Sequence, residues 1–166
     1  MNEQDQTPET GTRPLTSAGD NRVAALQIAQ SARRSLALLS VDLDPFIYDE
    51  EPFLAAVRQL ATSSRYASIR ILVQDSARVV REGHRLVELA RRLSSFIELR
   101  KPHADYQNLA ETFLIADEHS VLYRTLASRF EGIAGRDPML AREKLKLFNQ
   151  IWGKSEPDQE LRGLKL

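Results

Sequence analysis

The chain has 166 residues, with 23 basic and 23 acidic side chains and no cysteine. That length suits one domain with a buried core. The missing cysteine excludes a disulfide scaffold, a thiolate metal site and a cysteine nucleophile, and the zero formal charge argues against a strongly cationic nucleic-acid or membrane binder.

No apolar run approaches the roughly 18–20 residues that span a bilayer. The opening MNEQDQTPET is too acidic and polar for a signal peptide. A cytoplasmic location is therefore expected. Residues 1–20 set Glu3, Asp5, Glu9 and Asp20 against Arg13 alone, which leaves −3 there and +3 on the rest. With Pro8, Gly11, Pro14 and Gly19 and almost no large apolar residue, this segment is expected to be a disordered acidic tail.

In chain order, Asp20 is expected to cap a helix over 21–34, followed by SLALLSV (35–41) as a strand buried on both faces. Pro45 breaks regularity in DLDPFIYDEE and pushes Asp44 toward an extended conformation. A helix over 51–62 carries an apolar stripe of Phe53, Leu54, Val57, Leu60 and Ala61, and SIRILVQ (68–74) is the next strand. Asp75 ends that strand and caps the next helix. The stretch 76–93 reads as helix divided at Gly83, and FIELRK (96–101) as a third strand. After a loop over 102–108, residues 111–117 and 120–125 form two strands joined by a tight turn at Glu118-His119. Residues 130–135 are extended or irregular. Asp137-Pro138 opens a last helix that runs to about Trp152. Residues 154–166 form a polar tail with Leu161, Leu164 and Leu166 as docking points. The order predicts an α/β sandwich over 21–153, with a mixed, mostly parallel sheet, helices on both faces and a C-terminal antiparallel hairpin.

Ligands in open α/β sheets sit beyond the carboxyl ends of the strands. Asp42, Asp44, Asp75 and Asp117 each follow a predicted strand, so they are candidate ligand-binding residues that, if they converged, could bind a divalent cation or act as acid and base. Their structural reading is capping and turn formation. The most distinctive segment is GHRLVELARRLSS (83–95). Its His84, Arg85, Arg91 and Arg92, with Arg124, form a candidate phosphate-binding surface, because arginine forks match phosphate oxygens. The plainer reading is a solvated helix face with internal charge pairing. No nucleophile elbow, phosphate-cradling glycine loop or histidine pair at metal-ligand spacing occurs, so neither a metal nor a cofactor is expected.

The order of elements, the hairpin FLIADEHSVLYR and the ending Phe148-x3-Trp152 resemble one half of the phospholipase D superfamily. LDPFIYD, ILVQDS, GHRLVELARRLSS and LRGL are similar to an uncharacterised bacterial domain family of that fold. The superfamily hairpin carries H-x-K-x4-D. With Asp117 as the aspartate, the histidine position is Ala110 and the lysine position Thr112. The resemblance thus implies the fold with a degenerate site, since the nucleophile and the phosphoryl-binding lysine are both replaced. The downstream glycine-serine-asparagine element is absent as well.

The leading expectation is a non-catalytic domain that binds a phosphate-bearing ligand, nucleic acid included, or a protein partner through the strand-end groove and the basic helix. One alternative is a phosphodiesterase or nuclease-type hydrolase with a relocated site. There His84 would be base or nucleophile, Asp75 or Asp117 would orient it, and Arg85 or Arg124 would stabilise charge. Another is an assembly module, since the resemblance implies pairing of two single halves into a homodimer.

Overall fold

The computed structural model describes residues 11–162. Eight strands form one mixed sheet: β1 (Gly11–Leu15), β2 (Ser35–Ser40), β3 (Ser68–Val73), β4 (Ile97–Lys101), β5 (Thr112–Ala116), β6 (Ser120–Arg124), β7 (Gly132–Arg136) and β8 (Glu156–Pro157). The spatial order is β1-β7-β6-β5-β2-β3-β4-β8. Strands β2, β3 and β4 run parallel, and all other pairings are antiparallel. The helices are α1 (Ala18–Ser31), α2 (Glu51–Ser63), α3 (Ser76–Glu82), α4 (Arg85–Arg92), α5 (Pro138–Gly153) and α6 (Gln159–Arg162).

Alternation along the strands feeds two cores. Leu36, Leu38, Ile69, Ile71, Leu99 and Leu114 pack toward α1, α2 and α4. Ala37, Leu39, Leu72, Phe113, Ile115 and Val121 pack toward α5 through Ala141, Phe148 and Ile151. A strand buried on both faces reads as a continuous apolar run, and β2 does so because it lies in the middle of the sheet.

Several expectations need correction. The segment 11–20 is ordered. Strand β1 pairs with β7, and α1 begins at Ala18, so the expected tail is shorter than 1–20; residues 1–10 lie outside the described residues. The pairing depends on Gly135, where a Cβ would sit 3.0 Å from Thr12 Cα. Pro14 suits an edge strand, which needs no second ladder. Ser17, not Asp20, is the cap of α1; Asp20 sits three residues in and its carboxylate accepts from the amides of Thr16 and Ser17, a reciprocal capping box. Asp44 is not extended. It opens a π-helical turn, Asp44–Tyr48, in which Pro45 stands where a missing N–H costs nothing. Residues 132–136 are a regular strand. At the other end, β8 pairs with β4 and Leu161 is fully buried; Leu164 and Leu166 lie outside the described residues.

Candidate functional site

The parallel strands set the geography. The carboxyl ends of β2 and β3 bring Asp42, Asp44 and Asp75 to one edge of the sheet. Strand β5 runs against β2, with Ala116 opposite Leu36, so Asp117 falls at the opposite, amino edge. The four carboxylates therefore do not gather, because the last hairpin reverses direction. Each has a local task. Asp42 pairs with Arg78 at 3.1 Å, and Asp75 accepts from the amide of Arg78 at 3.2 Å as the cap of α3. Asp117, in left-handed backbone at φ 53°, accepts from the amides of Arg33, Arg34 and Ser35 at 2.9–3.0 Å. Burial alone would raise its pKa, but these amides and the nearby His119 hold it below the usual carboxylate value. Among the described residues, no three histidine, aspartate or glutamate side chains are placed to hold a metal.

At the carboxyl edge the central group is Arg124. It stands directly opposite Thr112 across the β5–β6 ladder and is fully buried. One terminal nitrogen donates to Asn21 Oδ1 at 3.2 Å; the other donates to Asp44 Oδ2 at 3.1 Å and to the Ala127 carbonyl at 3.0 Å. Burial raises the pKa of Asp44 against the opposing pull of this guanidinium. A Cβ on Gly132 would lie 2.8 Å from Arg124 Cγ, so the neighbouring strand makes room for the arginine stem. Thr112, at the lysine position of the resembled motif, donates its hydroxyl to the Leu39 carbonyl at 2.6 Å. Ala110 is exposed.

His84 follows Gly83, which has φ 76° and separates α3 from α4. Its Nδ1 accepts from the amide of Leu86 at 3.1 Å, and its Nε2 lies 3.0 Å from the Leu43 carbonyl. These partners assign the proton to Nε2 and engage both ring nitrogens. Burial lowers the pKa of the ring, partly opposed by the bond to Leu43. Leu43 itself holds left-handed backbone at φ 59°, a strained state for leucine that this bond helps to fix.

The arginines of the basic helix are spread rather than gathered. Arg85 pairs with Asp49 at 2.7 Å and with Glu51 at 3.5 Å. Arg91 donates to the Leu161 carbonyl at 2.8 Å. Arg92 lies roughly 10 Å along the helix from Arg85, near the amino edge, and is exposed.

That amino edge carries a group the sequence reading did not single out. Arg33 and Arg34 precede β2, and Arg65 and Tyr66 precede β3. The two strands are parallel and in register, so the two segments lie side by side. Arg33, Arg34, Ser64, Tyr66 and Ala67 line a recess of about 480 Å³. Arg65 donates to Tyr66 Oη at 2.7 Å and lies over its ring. None of the three arginines has a carboxylate partner among the described residues. The usable signal was a basic doublet and a Ser-Arg-Tyr segment, each just before a parallel strand.

Comparison of the fold places it among phospholipase D-like structures. The chain is similar to the archaeal chromatin protein TrmBL2, whose structure is described as showing a novel mode of DNA binding, with a TM-score of 0.65 and 15% identity over 94% of this chain. It spans 57% of that protein's length. It is also similar to Nuc, a phospholipase D family member from Salmonella typhimurium, with a TM-score of 0.62 and 17% identity over 90% of this chain and 99% of the other. A third likeness is to NucT from Helicobacter pylori, with a TM-score of 0.57 and 9% identity over 90% of this chain and 100% of the other. At these identities the likeness concerns the fold. Among curated proteins, no sequence matches. No helix among the described residues is long and apolar enough to cross a membrane. Residues 17–164 match the model of the domain of unknown function DUF7931, and the chain belongs to that family.

Proposed function

We propose that this chain is a phospholipase D-like domain that binds nucleic acid without hydrolysing it. The observation that carries the reading is the pair Thr112 and Arg124. The resembled motif's histidine position is Ala110, which has no nucleophile; at its lysine position Thr112 spends its hydroxyl on the backbone, and the cross-strand neighbour Arg124 is buried and ion-paired. A nucleophile attacking phosphorus needs a free lone pair and an adjacent base, and the engaged nitrogens of His84 do not offer one. The DNA-binding description of one structural neighbour supports nucleic acid as the ligand class. Exposed arginines with no carboxylate partner among the described residues, such as Arg33, Arg34 and Arg92, supply the charge. A generic aryl phosphodiester and a labelled oligonucleotide test this together. The expected outcome is oligonucleotide binding with no turnover above buffer. Turnover abolished by His84→Ala would establish the relocated hydrolase instead.

A second reading, a homodimer built through the carboxyl edge, is favoured by Phe46, Leu126 and Phe130. These exposed apolar side chains lie on the segments that supply the partners of Arg124. Sedimentation of the intact chain tests it, and a strict monomer at high concentration excludes it.

A further inference from the structure

We propose that the amino-edge recess of Arg33, Arg34, Arg65 and Tyr66 is a binding site for single-stranded nucleic acid. The proposal rests on the nucleic-acid reading above and relocates the ligand to the edge opposite the one that superfamily resemblance points to. Four observations converge. The first is charge that is not consumed. Arg33, Arg34 and Arg65 are exposed, and none meets a carboxylate among the described residues. They lie just past the ends of α1 and α2, whose carbonyls present about half a negative charge each. Three full positive charges more than offset that.

The second is preorganisation. Asp117 accepts three consecutive amide hydrogens from Arg33, Arg34 and Ser35, and the Arg34 carbonyl accepts from the Ser68 amide at 3.0 Å. Both arginines therefore project from fixed backbone, which reduces the ordering cost of binding. The remaining carboxylates of this edge leave the recess basic. Asp137 caps α5, Glu98 pairs with Arg100 at 2.9 Å, and Glu118 lines a separate depression against α5 with Arg142 and Lys146.

The third is an aromatic face. Tyr66 is 72% exposed, beyond what a core residue or a simple turn requires, and Arg65 stacks on it. An unpaired base stacks on such a ring, whereas a duplex keeps its bases inside. The fourth is concavity: Arg33 and Ser64, which line the recess, also line a second depression between the ends of α1 and α2, so the basic surface borders two adjoining hollows.

Fluorescence anisotropy of the full chain with a labelled twelve-nucleotide thymidine strand, a duplex of equal length and inorganic phosphate as competitor tests the site. The single strand should bind more tightly than the duplex. The triple substitution Arg33→Ala, Arg34→Ala, Arg65→Ala should weaken binding at least tenfold, and Tyr66→Ala about fivefold or more. Arg129→Ala, an exposed change at the carboxyl edge, should leave affinity unaltered. Photocrosslinking of an iodouracil-bearing strand to the unsubstituted chain should label Tyr66, a readout independent of variant folding. Wild-type affinity retained by the triple variant, or a crosslink mapping to the carboxyl edge, overturns this site while leaving nucleic-acid binding intact. Tighter duplex binding with no effect of Tyr66→Ala overturns the single-strand assignment. Failure of the wild-type chain to bind any strand overturns both this site and the reading it rests on.

Discussion

Arg124 is a fully buried charge held by three polar partners. Its guanidinium enters the interior with one full charge, and Asp44, Asn21 and the Ala127 carbonyl answer it. Removing one partner of a buried pair costs about 3–5 kcal/mol, because the other charge stays behind without compensation. Asp44→Ala should therefore lower unfolding free energy by about that amount in urea titration. Replacing both partners with apolar residues should cost less than the two single changes added together. An unchanged midpoint for Asp44→Ala would show that the pair is not buried as described. Both residues were legible in the sequence as candidates, but as ligand-binding groups. Their mutual contact spans 80 residues of chain, and no local pattern announces it. The same limit applies to Asp117: its place after a strand was visible, but which edge it faced depended on a strand reversal.

At the scale of elements, the join between α3 and α4 is the most informative. Gly83 turns the chain, and His84 caps α4 through Nδ1 while Nε2 ties down Leu43. Burial keeps the folded ring's pKa below that of the unfolded chain. The unfolded state therefore takes up a proton first, near pH 6.5, and stability is lost as pH falls below that value. His84→Asn retains a capping side chain but cannot titrate. Thermal unfolding between pH 7.5 and 5 should show the wild type losing stability relative to this variant; parallel profiles would contradict the buried, neutral ring. Helices with capping residues and apolar stripes, and the central strands with unbroken apolar runs, were legible from local sequence. Strands β1, β7 and β8 were not. GTRPL, GIAGR and Glu156-Pro157 carry little intrinsic strand preference, and only their long-range partners define them.

For the whole molecule, zero net charge conceals an uneven distribution. Setting aside Glu3, Asp5, Glu9 and Lys165, which lie outside the described residues, leaves +2 on residues 11–162. At the carboxyl edge three arginines are paired with carboxylates: Arg85 with Asp49, Arg124 with Asp44 and Arg78 with Asp42. At the amino edge Arg33, Arg34 and Arg65 meet no carboxylate among the described residues, and the neighbouring Asp117 is turned onto backbone amides. On the reading proposed above, the basic amino edge of this sheet holds a strand through its arginines. The salt dependence of single-strand affinity tests that claim most directly. Three arginine–phosphate contacts predict a log–log slope of about −2, or a roughly 20-fold loss of affinity between 50 and 200 mM salt. A flat response over that range would contradict it.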